Sequence, residues 1–190
     1  SSLDVIEWVP AALTHAERLM LFTLVCGLRP MRYLEIGTFQ GGSSLVVSAA
    51  MTATKNRGRM LCVDPRPQID PAHWALIEER AILIRGYSPD VLPQARDAAG
   101  GDFDLVFIDG DHTAKGVYRD AIGVLPFLQQ GACMLFHDSH YPDVASGINR
   151  FASEQAGCLL DFGIITREAT VEDDDATLHW GGLRLMRVLR

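Results

Sequence analysis

Polar side chains able to bind or react recur at one kind of position in this chain, directly after short apolar runs. Glu35 leads into the segment Gly37-Thr38-Phe39-Gln40-Gly41-Gly42-Ser43, and Asp64 closes the run Met60-Leu61-Cys62-Val63. Gly86-Tyr87-Ser88 follows residues 81–84, Asp109-Gly110-Asp111-His112 follows 103–108, and His137-Asp138 follows 132–136. Asp and Gly are ordinary turn formers, yet five successive runs ending in such groups exceed what turns alone require. A glycine-rich segment between a strand and a helix lets backbone approach a ligand closely. This one is neither G-x-G-x-x-G nor G-x-x-x-x-G-K-[ST], so the dinucleotide fingerprint and the P-loop are both absent. A hydrolase elbow of the form G-x-S-x-G is absent as well. Asp64 offers a carboxylate that can accept both hydroxyls of a ribose, while Glu35 opposes phosphate. A nucleoside with a cationic or zwitterionic tail suits this chemistry best.

The elements that must hold these groups alternate regularly. Thr14-His15-Ala16-Glu17 has the form of a capping box, followed by Leu19, Met20, Phe22 and Val25 at helical spacing, with Gly27 as the expected stop. Helices are expected from Ser44 to about Thr54, from Asp70-Pro71 to Arg80, after Gly86-Tyr87-Ser88-Pro89, from about Thr113 to Leu128, and around Val144, Ile148 and Phe151. Near-continuous apolar strands alternating with helices predict a parallel sheet covered on both faces. Two last strands, 159–166 and 183–189, have no helix between them and are expected to pair antiparallel at one edge. In such sheets ligands bind beyond the carboxyl ends of the strands, where strand order reverses.

Composition narrows the partners. With 190 residues, 48% of them hydrophobic and 22% charged, the chain is expected to form one packed domain spanning residues 1–190. The net charge of -7 disfavours nucleic acid, since no basic run offsets it. Residues 168–175 supply five of the acids (Glu168, Glu172, Asp173, Asp174, Asp175) and no base, which concentrates the acidity in what reads as a solvated loop joining the last two strands. No apolar stretch reaches the roughly 18 residues that span a bilayer. The first eight residues carry no basic region of a signal peptide, and a start on Ser1 is the expectation of a processed or trimmed N-terminus. Cys26, Cys62, Cys133 and Cys158 form no C-x-x-C pair and read as reduced, packed thiols of a cytoplasmic protein.

With these motifs in place, the chain resembles the class I S-adenosylmethionine-dependent methyltransferases, and among them the small-molecule O-methyltransferases of the catechol and macrolide-sugar types. Residues 34–43 match the first motif of that family, Cys62-Val63-Asp64 its ribose-binding acid, Gly86-Tyr87-Ser88 its adenine-lining segment, 103–112 its fourth-strand motif and 131–138 its fifth strand. The resemblance implies a Rossmann-like α/β fold, doubly wound, with seven mostly parallel strands, the last antiparallel, and helices on both faces. It implies S-adenosylmethionine as cofactor, held by Glu35, Gly37, Thr38, Phe39, Gly41, Ser43, Asp64, Tyr87, Ser88 and Asp109. The expected reaction is methyl transfer to a hydroxyl of a small molecule or sugar. The expected partners are a small-molecule acceptor and, as an open question, a second copy of the chain; nucleic acid and membrane are not expected.

A hydroxyl acceptor must lose its proton, to a general base or with the help of a Lewis-acidic metal. In metal-dependent relatives the positions of Asp109, His137 and Asp138 hold a divalent ion such as Mg or Mn. A carboxylate is usual where His137 stands, and imidazole suits Mn, Fe, Ni or Zn better than Mg. The alternatives are His137 contacting substrate without a metal, or His137 as a satisfied structural histidine near a strand end. As general base, Asp111 and His112 stand equal, with His140 behind them. Trp180 and Tyr141 are the aromatic candidates for an acceptor pocket, and His15, His73 and His179 read as structural. If the base or metal set is broken, the remaining reading is a cofactor-binding subunit without catalysis.

Overall fold

The computed structural model describes residues 3–172 and 175–189. In chain order it contains α1 (Val5–Trp8), α2 (His15–Leu28), β1 (Arg32–Ile36), α3 (Gly42–Ala53), β2 (Arg59–Asp64), α4 (Pro71–Ala75), β3 (Ala81–Arg85), α5 (Leu92–Ala99) and β4 (Phe103–Ile108). Then follow α6 (Ala114–Val124), a 3-10 turn (Leu125–Phe127), β5 (Leu128–Phe136), α7 (Pro142–Glu154), β6 (Leu159–Ile164), β7 (Thr170–Glu172), β8 (Asp175–Trp180) and β9 (Arg184–Val188).

Seven strands form one sheet in the order β3-β2-β1-β4-β5-β9-β6. β1 to β5 are parallel, and β9 runs antiparallel between β5 and β6. The expected antiparallel pair is therefore present, with the last strand inserted inside the edge.

Alternation along each strand divides the core into two layers. Tyr33, Met60, Cys62, Leu105, Phe107 and Leu135 face the layer containing α1, α2 and α3. Leu34, Ile36, Leu61, Val63, Val106, Ile108, Met134 and Phe136 face α5, α6 and α7. With both faces covered, the strands carry apolar residues at nearly every position, which is why they read as continuous runs in the sequence.

Four local expectations shift. α6 ends at Val124 and not at Leu128: a 3-10 turn containing Pro126 follows over Leu125–Phe127, and Leu128 already opens β5. α2 runs through Gly27 to Leu28 and ends at Arg29, which takes the left-handed conformation (φ 50°) and donates its N–H to Val25 O at 2.9 Å; Pro30 follows and forbids another turn. α4 stops at Ala75 instead of Arg80, and beyond it only Ile77 is buried, too little packing to sustain a short helix. The acidic stretch expected as a loop includes the antiparallel hairpin β7–β8, with Thr170 opposite Trp180. Asp173 and Asp174 lie outside the described residues. Glu168 is bound to the body of the fold, accepting the N–H of Ala16 at 3.0 Å.

Candidate active site

Register brings the strand ends level. Ile36 pairs with both Val63 and Ile108, and Ile108 with Phe136. The ladder continues one residue further: Gly37 N–H donates to Val63 O (2.9 Å), Asp109 N–H to Ile36 O (2.8 Å) and His137 N–H to Ile108 O (3.1 Å). The polar groups that follow each strand thus stand side by side at the β1/β4 switch point. They line a cleft of about 820 Å³ that also takes in Pro10 to Leu13 from the N-terminal segment and Trp180 from β8.

The first-motif loop is shaped by backbone constraints. Gly37 has φ 89°, and a Cβ there would overlap the Asp109 carbonyl, so only glycine fits. Phe39 also has positive φ (44°) and donates its N–H to Asp64 Oδ2 at 2.7 Å, while Arg66 N–H donates to Asp64 Oδ1 at 2.7 Å. Each Asp64 oxygen keeps a second lone pair. Thr38, Phe39 and Ser43 line the cleft, as do Asp64, Tyr87, Ser88 and Asp109; Gly41 supplies the left-handed residue before α3 and does not line it. Glu35 does not line it either. Its side chain lies behind the sheet, fully buried, accepting Oγ–H of Ser44 (2.7 Å) and O–H of Tyr33 (2.8 Å), and burial pushes its carboxyl up to about 7. Alternation predicts this: Glu35 shares a face with Tyr33, whereas the cleft opens beyond Ile36.

At the ends of β4 and β5 the structure gathers two histidines and three carboxylates. His137, 4% exposed, places Nδ1 3.0 Å from Asp109 Oδ1 and 3.2 Å from Asp138 Oδ2, and Nε2 3.4 Å from Glu17 Oε2. His112 places Nε2 3.0 Å from Asp138 Oδ2 and 3.4 Å from Asp109 Oδ1. Burial opposes the charge on His137, but Asp109, Asp138 and Glu17 outweigh it and hold the imidazolium well above its usual range. His112, hydrogen-bonded to Asp109 and then Asp138, is raised to about 10. Burial acts to raise Asp109 and Asp138, yet the two histidines hold both below the usual carboxylate range. Asp138 has φ 52° and accepts Gly181 N–H at 2.7 Å, which ties the end of β5 to the turn before β9.

The other candidates separate. Asp111 turns toward the start of α6, where Oδ1 accepts Thr113 N–H at 2.9 Å. His140 is not in the cleft; it packs against Gly182 and donates its backbone N–H to Gly181 O at 2.9 Å. Trp180, at the end of β8 and not in a loop, stacks on Tyr141 (centroids 4.0 Å apart, 13° between planes) and meets the edge of His112 at 5.6 Å. His15 and His73 lie in α2 and α4, and His179 in β8. Two residues escaped the sequence reading. Glu17 is the capping partner that its spacing from Thr14 predicts, receiving Thr14 N–H at 2.7 Å, and its contact with His137 has no local signal. Asp120 stands on the apolar face of α6 beside Val117, Ala121 and Val124 and is 2% exposed; an acid at that phase of a helix was the available signal.

A family model described as a methyltransferase domain matches residues 34–139. Catechol O-methyltransferase B of Danio rerio is 29% identical over 96 residues, 47% of this chain and 35% of that protein. Uncharacterized protein R132 of Acanthamoeba polyphaga mimivirus is 26% identical over 142 residues, 67% of this chain and 62% of that one. The chain thus spans less than two thirds of the length of either relative. Among solved structures, the O-methyltransferase TomG of Streptomyces achromogenes, in complex with SAM, has a TM-score of 0.70 at 21% identity, covering 100% of this chain and 86% of that one. The O-methyltransferase of Bacillus cereus, in complex with SAH, has a TM-score of 0.66 at 20% identity, covering 100% and 89%. The chain belongs to the methyltransferase domain family and has the class I fold of the S-adenosylmethionine-dependent O-methyltransferases.

Proposed function

We propose that the protein transfers the methyl group of S-adenosylmethionine to a hydroxyl of a small molecule or sugar, in the cleft above β1 and β4. The observation that carries this reading is the levelling of the strand ends, which puts the Gly37 loop, Asp64 and Ser88 in one cleft with Asp138 and His112. The residues fit the cofactor: the glycine at 37 leaves room against the Asp109 carbonyl, and Thr38 Oγ1 and Ser88 Oγ are buried without a hydrogen-bond partner. Buried polar atoms of that kind call for a ligand. The sulfonium supplies an electrophilic methyl group, and the remaining work is positioning, which can contribute on the order of 7–11 kcal/mol. Asp64 accepts the ribose hydroxyls, the loop backbone holds the amino-acid tail, and Trp180 forms a wall for the acceptor beside His112.

Of the two base candidates we assign His112. Both residues line the cleft, but the His112 ring stands between two carboxylates and Trp180, whereas the Asp111 carboxylate is engaged at the start of α6. His112 takes the acceptor's proton only in its neutral form, and with its value near 10 that form is a minority at neutral pH.

Asp109, His137 and Asp138 present ligand atoms within 4.8 Å of one another. The separations of His137 Nδ1 from Asp109 Oδ1 (3.0 Å) and from Asp138 Oδ2 (3.2 Å) match neighbouring ligands about one ion with bonds of about 2.1 Å. A divalent ion would supply Lewis acidity toward the acceptor oxygen. Imidazole in the set favours Mn or Zn over Mg, and Glu17 at Nε2 is the carboxylate that orients a metal-bound histidine.

Calorimetry with S-adenosylmethionine and S-adenosylhomocysteine tests the cofactor, and a panel of hydroxylated acceptors, with and without chelator, tests turnover. Release of S-adenosylhomocysteine supports transfer. The second reading, a cofactor-binding subunit without catalysis, has the strongly held His112 proton on its side; cofactor binding with no acceptor turned over at any pH up to about 10 would favour it.

A further inference from the structure

Residues 5–13 lie over the start of α3 without belonging to the sheet. α1 is one turn long, too short to hold itself, and it is seated by Val5 and Ile6, with Val9 and Leu13 buried after it. Pro10 to Leu13 line the cleft beside Gly37, Thr38 and Ser43. Ala11 rests directly on the first turn of α3: a Cβ at Gly42 would fall 2.5 Å from the Ala11 Cβ, so the two segments touch only because residue 42 is glycine. At one end the segment merely leans on α4, where the half-exposed Trp8 ring stands 5.6 Å from that of His73. At the other end it is tied. Arg18, near the start of α2, donates Nε–H to Leu13 O (2.9 Å), Nη1–H to Ile6 O (3.0 Å) and Nη2–H to Ala11 O (2.9 Å). One guanidinium gathers three backbone carbonyls of the same segment.

We propose that Arg18 holds residues 5–13 as a strap over the cofactor where it meets the first-motif loop, and that release of this strap sets the rate at which S-adenosylhomocysteine leaves. This rests on the reading that S-adenosylmethionine occupies the cleft. Arg18 does not line the cleft, so it is a positioning residue that acts through Ala11 and Leu13, which do. The planar fork suits the task. Its N–H groups point in fixed directions and hold three acceptors at once, whereas a lysine is a point charge on a flexible stem. Glu17, the preceding residue, reaches His137 from the same turn. The start of α2 therefore fastens the strap with one side chain and the histidine cluster with the next.

The test combines amide hydrogen exchange with the dissociation rate of labelled S-adenosylhomocysteine, both on the whole chain. In the wild type, S-adenosylhomocysteine is expected to slow exchange over residues 5–13 by at least about tenfold, because opening the strap must then also break ligand contacts. Arg18→Ala is expected to speed dissociation by about 10- to 100-fold and to erase that protection, as for the loss of hydrogen bonds from a charged donor. KM for S-adenosylmethionine should rise in that variant, while kcat at saturating cofactor does not fall. Arg18→Lys, which keeps the charge and loses the fork, should fall between the two. A lower melting temperature in Arg18→Ala, with dissociation and exchange protection as in the wild type, marks a purely structural arginine and overturns the inference. If neither variant folds, the wild type decides: equal exchange over residues 5–13 with and without S-adenosylhomocysteine refutes the strap. Failure of S-adenosylhomocysteine itself to bind removes the proposed function, and this inference with it; binding without protection of residues 5–13 removes this inference alone.

Discussion

Nε2 of His137 stands 3.4 Å from Oε2 of Glu17, although 120 residues separate them in the chain. Oε1 of the same carboxylate accepts Gly182 N–H and Oε2 accepts Thr14 N–H, so one buried acid joins the start of α2, the end of β5 and the turn before β9. Glu17→Gln removes the charge that faces the imidazolium and puts an amide where only acceptors fit. Breaking a buried pair of this kind costs about 3–5 kcal/mol. Thermal or denaturant unfolding should register a loss of that size; a change below about 1 kcal/mol would show that the pair does not hold the site together.

His112 bridges Asp109 and Asp138, and its assignment as base predicts a specific split. His112→Ala should lower kcat for a hydroxyl acceptor by about 10²–10³ with S-adenosylhomocysteine affinity little changed. Asp111→Asn should cost far less. In wild-type enzyme assayed with chelator, the rate should climb with pH from neutrality toward about 10. A large loss in Asp111→Asn alongside an active His112→Ala would transfer the role.

Stability should also depend on pH, and the signs can be worked out group by group. The raised value of His112, about 10 against about 6.5 unfolded, gives stability fully present below about 6.5 and lost as pH rises through 10. Glu35 and Asp120, raised to about 7 and about 6, weaken the fold as pH climbs through those values, because the folded state then holds protons the unfolded state has released. Asp109 and Asp138 are lowered, so their contribution is present above about 4 and lost in acid. The melting temperature should therefore be highest in mildly acidic solution and fall toward pH 10. A flat profile from pH 5 to pH 9, on the order of those midpoints, would contradict the assignments.

Metal affinity should show the imidazole. An ion at Asp109, His137 and Asp138 must displace the His137 Nδ1 proton, which the surrounding carboxylates hold above the usual histidine range, so binding should release protons and tighten as pH rises above neutrality. Titration calorimetry should rank Zn and Mn above Mg, and His137→Ala should abolish the preference. Tighter Mg binding, or affinity independent of pH, would rule out His137 as a ligand.

Trp180 lies across Tyr141 and against the edge of His112. Trp180→Ala should raise KM for the acceptor by about tenfold, in line with the roughly 0.5–1.5 kcal/mol of an aromatic contact plus lost burial. Cofactor affinity should stay within about twofold. The opposite pattern, weaker cofactor and unchanged KM, would place the acceptor elsewhere.

Much of this protein is legible before any coordinates. Continuous apolar runs ending in Asp64, Asp109 and His137 announce buried parallel strands, because only strands covered on both faces can afford apolar residues at every position. Thr14 and Glu17 announce a helix start, since a capping box is a contact across three residues. The positions of the glycine loop, Asp64, Asp109, His137 and Asp138 at strand ends follow from the same local logic, while their assignment to a cofactor motif and a metal set comes from the resemblance to the methyltransferases. Tertiary structure decided what depends on distance and direction. The resemblance implies Glu35 as a cofactor ligand, but strand alternation turns it behind the sheet to Tyr33 and Ser44. Glu17 reached His137 and Asp120 reached the cleft only because the layers bring α2 and α6 over the strand ends. Asp111 and His112, adjacent in sequence, were told apart by the direction each side chain takes. Periodicity and capping are short-range properties that neighbouring residues report on each other; the facing of a side chain across 120 residues is fixed by packing, and only the folded chain states it.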